Sequence, residues 1–180
     1  LGLINSERKD STGICFIGER RFKDFLARFL PRNPGPIQTH DGTCVGEHDG
    51  LWFYTLGQRH GLDIGGPGKA WYVSDKSLAA NILYVVQGAD HADLFHTTVG
   101  VIEPYWSRNE IPVTPFQCNA KIRYRQADQA CLIEYASNNS FLVQFLEPQR
   151  AITPGQALVL YDGSHVIGGG TCLLYTSPSP

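Results

Sequence analysis

Apolar positions along this chain follow two different periods, and the change from one to the other coincides with a proline-rich segment. Phe22, Phe25, Leu26, Phe29 and Leu30 recur at i, i+3, i+4, i+7 and i+8, which places them on one stripe of a helix with Lys23, Asp24 and Arg28 turned to water. Pro31 stops that helix, and Arg32-Asn-Pro-Gly-Pro36 reads as a linker. Beyond it the pattern is one of short apolar runs punctuated by Asp41-Gly42, Asp49-Gly50 and Asp162-Gly163, the dipeptides of tight hairpin turns.

The runs between these turns predict strands. Leu51–Leu56, Ala70–Val73 and Ile82–Val86 form a first group, interrupted by the glycine-rich stretch from Gly57 to Gly68. A second group comprises Thr98–Ile102, Cys118–Arg125, Ala130–Ala136, Phe141–Leu146, Ala157–Tyr161 and His165–Ile167, with Ser137–Ser140 and Asp162-Gly163 each joining two strands as a hairpin. Many short strands at regular spacing point to a closed barrel or a sandwich. The expected organisation is therefore a helix-bearing start followed by two β-rich modules, mainly β with a small α+β contribution. The Ser/Pro-rich ending from Leu173 to Pro180 predicts an unstructured or non-native tail.

Composition narrows the function classes. Hydrophobic residues make up 42% of the 180 residues and charged residues 18%, which supplies a core and excludes the signature of disorder. A net charge of -2 gives no bulk attraction for nucleic acid, so any RNA contact must come from a local patch. The chain contains no methionine, which leads us to expect a piece of a longer protein. No apolar stretch approaches the length of a membrane span, and five scattered cysteines without a CxxC pair suggest free thiols in a reducing compartment.

Several residues carry candidate chemistry. Cys15 lies between Ile14 and Phe16 with Lys9, Arg20 and Arg21 nearby, so it reads either as a small core residue or as a thiolate favoured by positive charge. His40, Cys44 and His48 are spaced by four, as zinc ligands on a helix would be, yet Gly42, Gly46 and Gly50 argue against a helix there, and no metal is expected. The stretch Gly57-Gln-Arg-His-Gly61 with Gly65-Gly66-Pro-Gly68 matches neither nucleotide-binding glycine motif; it is an ordinary turn or a basic loop that places Arg59 and His60 on an RNA backbone. In Lys121-Ile-Arg-Tyr-Arg-Gln126 a strand would put Lys121, Arg123 and Arg125 on one face at about 7 Å intervals, close to successive phosphates, or would simply give a solvated barrel face.

Taken together, Lys9-Asp-Ser-Thr-Gly-Ile-Cys-Phe-Ile-Gly-Glu-Arg20, Thr55-Leu-Gly-Gln-Arg-His-Gly-Leu-Asp-Ile-Gly-Gly66, Lys121 to Gln126, Thr153-Pro-Gly-Gln156 and Gly168-Gly-Gly170 occur in the order that resembles the tRNA-specific 2-thiouridylases. The resemblance runs from about Lys9 to Gly170 and covers the last half or so of such an enzyme. It implies that residues 1–30 are the helical edge of a catalytic α/β domain, 31–92 a small β-rich central domain, and 93–172 an antiparallel β-barrel that grips tRNA, with 173–180 outside the pattern. It implies further that the whole enzyme thiolates the C2 position of the wobble uridine of tRNA after adenylating its oxygen. ATP and Mg2+ would be held by an amino-terminal domain that these residues do not include, with neither bound by this chain.

By the same match, Cys15 falls on the persulfide-carrying cysteine, whose sulfur a second cysteine in the missing domain would release through a disulfide. Arg123 and Tyr124 fall on a tRNA-contacting pair and Gln156 on a further tRNA contact. Tyr124 would face inward on an ideal strand, so its role requires a bulge or a strand end. The implied partners are tRNA and a sulfur-donor protein of a cysteine desulfurase relay, with no membrane, in the cytoplasm or, for a mitochondrial relative, in that organelle. Cys44, Cys118 and Cys172 have no role in the pattern and are expected to be structural. Two rivals use the same residues differently: a non-catalytic RNA-binding β-barrel module in which Cys15 is core, and a protein–protein adaptor without RNA contact.

Overall fold

The computed structural model describes residues 29–123 and 126–173. Ten strands form two sheets: β1 Gly35–Gln38, β2 Cys44–His48, β3 Trp71–Ser77 and β4 Ile82–Gln87 in the first, and β5 Phe95–Trp106, β6 Phe116–Lys121, β7 Gln129–Ala136, β8 Ser140–Arg150, β9 Ala157–Asp162 and β10 His165–Leu173 in the second. The first sheet has the order β2-β1-β4-β3, in which only the β1–β4 pairing is parallel. The second closes as β10-β5-β8-β7-β6-β9, an antiparallel barrel. The expected mainly β architecture, with a small β-rich module before a barrel, is what the described residues adopt.

The barrel core follows from period-two alternation. Val99 and Val101, Cys131 and Ile133, Phe141, Val143 and Phe145, and Leu158 and Leu160 all point inward and are almost fully buried. Alternation is broken where a strand must bend, and register shifts mark those places between Ile133 and Tyr135 and between Val166 and Gly168. The three glycines of β10 lie inside this last strand. A side chain at Gly168 would stand 2.5 Å from the Trp106 ring and 2.7 Å from the Tyr105 carbonyl, so glycine is what allows β10 to lie against β5.

Four expectations are corrected. Leu51–Leu56 is not a strand: Leu51–Phe53 is a 3-10 helix, followed by an irregular segment. Leu51 and Tyr54, three apart, are buried while Trp52 between them is exposed, a spacing that suits three residues per turn rather than alternation. Asp49-Gly50 leads into that helix and joins no strands, whereas the β1–β2 hairpin turns at Asp41-Gly42 and the β9–β10 hairpin at Gly163. The Arg32–Pro36 linker is shorter than expected, because Gly35 and Pro36 already pair with His48 and Glu47. Finally, β6 ends at Lys121 rather than Arg125. Of the expected helix over residues 22–30 only Phe29 and Leu30 are described, as a turn and a bend; the rest of it, Cys15, and the ending after Leu173 lie outside the described residues.

The two sheets meet along a tight seam. Ala151, the residue after β8, packs into the core of the first module with Leu51, Tyr54, Leu56, Val73 and Leu83, and its N–H donates to the Leu94 carbonyl at 2.7 Å. Gly57, at φ 77°, leaves room for that residue: a Cβ there would lie 2.7 Å from the Cβ of Ala151. The linker between the modules is pinned as well. His40, on the β1–β2 turn, stacks on Tyr84 with ring centres 4.9 Å apart and brings Nε2 to 3.0 Å from Ser74 Oγ and 3.5 Å from Asp93 Oδ2.

Candidate nucleic-acid interface

Two arginines, Arg123 and Arg150, come together at this seam. Ile122 is buried, so the chain leaving β6 is anchored before it turns outward at Arg123, and the turn closes with a hydrogen bond from Gln126 N–H to the Arg123 carbonyl at 3.1 Å. Gln126 holds that turn in place through both ends of its amide: Oε1 accepts from Ile122 N–H at 3.1 Å, and Nε2 donates to Gln149 Oε1 at 2.6 Å. Gln149, 4% exposed, passes the chain on through Nε2 to Gln129 Oε1 at 2.9 Å and the Glu147 carbonyl at 2.8 Å. A buried amide is stable only when both its ends are paired, and this one is.

Arg123 reaches from this turn to the end of β8. Its Nη2 donates to the carbonyls of Arg150 at 3.3 Å and Ala151 at 3.0 Å. The Arg150 guanidinium stacks over the Tyr72 ring of β3, with 5.2 Å between guanidinium carbon and ring centre. Ile122, Arg123, Gln126 and Arg150 thus line an open cavity of about 360 Å3 in which, among the described residues, neither guanidinium meets a carboxylate.

The remaining expected site residues are placed as follows. Lys121 is not part of a three-cation strand face: its ammonium pairs with Asp128 at 2.9 Å and lies 5.2 Å from the Tyr161 ring centre, and the Asp128 hydrogen bond holds it above the ordinary lysine range. Tyr124 and Arg125 lie outside the described residues; β6 stops before them. Gln156 follows the Thr153–Gly155 turn, its carbonyl accepts from Cys172 N–H at 2.8 Å, and its Oε1 is buried without a hydrogen-bond partner among the described residues. Arg123 and Gln156 are linked through one short segment, since the Ala151 carbonyl that accepts from Arg123 also accepts from Thr153 Oγ1 at 3.2 Å, but only Arg123 lines the cavity.

Around the glycine-rich loop, a second open cavity of about 330 Å3 is lined by Arg59, His60, Lys69 and Trp71 among others. Gln58 braces its entry, accepting from Thr55 N–H and donating to the His60 carbonyl. The residues spaced by four do not share a partner: His48 is buried with Nε2 on the Asn81 carbonyl and Nδ1 accepting from Gly50 N–H, Cys44 is exposed, and His40 faces Ser74. Sequence reasoning missed Arg150 and Gln149, and included Gln126 only as the end of the basic stretch, without a role. A signal was present in Pro148-Gln-Arg150 at the end of an expected strand, but nothing local tied it to Arg123, 27 positions earlier.

Comparison with known proteins accounts for this arrangement. Residues 23–87 match the model described as the tRNA methyl transferase PRC-barrel domain, and residues 96–172 the one described as the Aminomethyltransferase beta-barrel domain. Across both modules the chain is 53% identical over 171 residues to the tRNA-specific 2-thiouridylase MnmA of Lysinibacillus sphaericus, a match covering 94% of this chain and 46% of that protein. The chain belongs to the tRNA-specific 2-thiouridylase family. It is likewise 53% identical to the MnmA proteins of Ralstonia pickettii, over 174 residues and 47% of that protein, and of Halalkalibacterium halodurans, over 170 residues and 46%. The chain therefore spans just under half the length of the family members it matches, and the two matched domain models fall on its two sheets. Among the described residues no helix is long and apolar enough to cross a membrane.

Proposed function

We propose that this chain is the tRNA-gripping and sulfur-carrying part of an enzyme that performs ATP-dependent 2-thiolation of the wobble uridine of tRNA. The observation that carries the reading is the identity to tRNA-specific 2-thiouridylases across 94% of the chain, through both modules and not in one motif alone. In this reading Arg123, Tyr124 and Gln156 contact tRNA and Cys15 carries the incoming sulfur as a persulfide. A thiol suits that role because a thiolate accepts sulfur from a donor protein and the resulting persulfide presents a nucleophilic terminal sulfur. The donor belongs to a cysteine desulfurase relay, and the enzyme works in the cytoplasm.

The chain's own described residues contribute binding and orientation. Arg123 is fixed by two carbonyls and a glutamine chain, so its remaining N–H groups are presented to a phosphate with little freedom left to lose. In this reading ATP and Mg2+ are held by an amino-terminal domain of the whole enzyme and not by these two modules; the Gly57–Gly68 loop matches neither nucleotide-binding glycine motif. Uridine activation, in the same reading, takes place in that amino-terminal domain.

The test uses the full-length protein carrying Cys15→Ser. Thiouridine in the tRNA nucleosides, read by mass spectrometry, should disappear while tRNA binding is retained. Unchanged thiouridine would refute the persulfide assignment.

A further inference from the structure

We propose that Arg150 and Arg123 form a two-arginine clamp for one phosphodiester of an RNA strand, seated in the cavity at the seam between the two modules. The inference rests on the tRNA-binding reading above and adds to it a residue on the end of β8 and a defined ligand group.

The argument starts from unspent hydrogen-bonding capacity. Gln126 has its Oε1 and one Nε2 donor committed and Ile122 is apolar, so among the described lining residues most of the free donors belong to the two guanidinium groups. Each carries five N–H donors, of which Arg123 commits one nitrogen, Nη2, to carbonyls and Arg150 is held chiefly by the face of Tyr72. A cation stacked on an aromatic ring keeps its in-plane donors available, and two guanidinium forks around one opening match the tetrahedral oxygens of a phosphate better than a flat carboxylate. Among the described residues no acidic side chain lines the cavity. At about 360 Å3 the opening has room for a backbone phosphate, and it lies open to solvent where a site for a free small molecule would enclose it. Arg150 is moreover fixed by the same contacts that hold the modules together, since Gly57 approaches Arg150 Nη1 and Ala151 Cβ. The clamp therefore exists only when the modules are docked.

The experiment measures tRNA binding by the full-length protein between about 50 and 400 mM salt for Arg150→Gln, Arg150→Lys, Arg123→Gln and Tyr72→Glu, with thermal unfolding as a control. Arg150→Gln should weaken binding about tenfold at low salt and lower the magnitude of the slope of log K against log salt by about 1, the signature of one lost phosphate contact. Arg150→Lys should keep the slope and recover part of the affinity, as a point charge in place of a fork. Tyr72→Glu leaves Arg150 present but gives it a carboxylate partner, so it should flatten the slope in the same way, and it decides the matter if Arg150→Gln does not fold. Weaker binding by Arg150→Gln with an unchanged slope would make Arg150 a purely structural seam residue and overturn the clamp. Loss of slope on Arg123→Gln but not on Arg150→Gln or Tyr72→Glu would overturn it too, while leaving the tRNA-binding reading standing. An unmodified protein that binds no tRNA would bring down both.

Discussion

Cys118 and Cys131 face each other across β6 and β7 as free thiols, with their Sγ atoms 3.6 Å apart. Each shapes the other: the hydrogen bond from Cys118 stabilises a Cys131 thiolate and lowers its pKa, while the same contact, together with burial, pushes Cys118 up. Reactivity nevertheless requires access, and Cys131 is 2% exposed inside the barrel. Among the described cysteines, alkylation of the folded protein at pH 8, followed by peptide mass spectrometry, should therefore modify the exposed Cys44 before the others and reach Cys131 and Cys172 only in denaturant. Early labelling of Cys131 would mean that the barrel opens between β6 and β7.

Cys172 makes stability depend on alkaline pH. Burial in the barrel pushes its thiol up to about 11 from an ordinary 9.0. Between those values the unfolded chain has lost this proton and the folded chain still holds it, so the contribution is fully present below pH 9 and lost as the pH rises through 11. The difference corresponds to about 2 to 3 kcal/mol. Urea denaturation at pH 8, 9.5 and 11 should show a shallower alkaline loss for Cys172→Ala than for the unmodified protein.

Gly57→Val should separate the modules. A side chain there is both strained by the positive φ and driven into Ala151, whose methyl occupies the first module's core. The expected destabilisation is about 2 to 4 kcal/mol, read as a lower denaturant midpoint. A midpoint unchanged from the parent protein would mean that the seam is not held as described.

Gln149→Leu removes the middle of the glutamine chain and leaves Gln126 and Gln129 each short of a partner. The loss should be about 1 to 3 kcal/mol. Gln149→Glu restores an acceptor for Gln126 but not the donor to Gln129, so it should recover only part of that loss.

The 180 residues expressed alone should produce no thiouridine from tRNA and ATP, because the proposed reading puts ATP on a domain outside the part of the family members that this chain matches. Turnover by this piece would contradict the assignment of uridine activation to a preceding domain.

Strand positions in the barrel were legible in the sequence because alternation over Val99–Val101 or Phe141–Phe145 is a local pattern that the core face imposes directly. The segment at Leu51 was misread because an apolar run has the same composition whether it alternates or turns every three residues, and only burial of Leu51 and Tyr54 together distinguishes them. For the candidate interface, Arg123 stood out as a cation in a basic stretch, yet its setting did not. The turn that ends β6 is made by Gln126 gripping Ile122, and the cavity is completed by Arg150 from a strand that pairs with neither β6 nor the following turn. Such non-local closure leaves no periodic trace.

The position of β10 between β5 and β9 sets a timetable for the nascent chain. Its partner β5 is synthesised some sixty residues before it, so the edge of β5 that will receive β10 waits unpaired on the ribosome, as does the outer edge of β9 once it emerges. Contacts this distant in sequence close slowly, and until they do the two open edges are available for pairing with another chain. Nine residues from His165 to Leu173 cover both edges at once. Ribosome stalling before His165 would therefore yield an aggregation-prone intermediate, whereas emergence of β10 allows the barrel to seal itself.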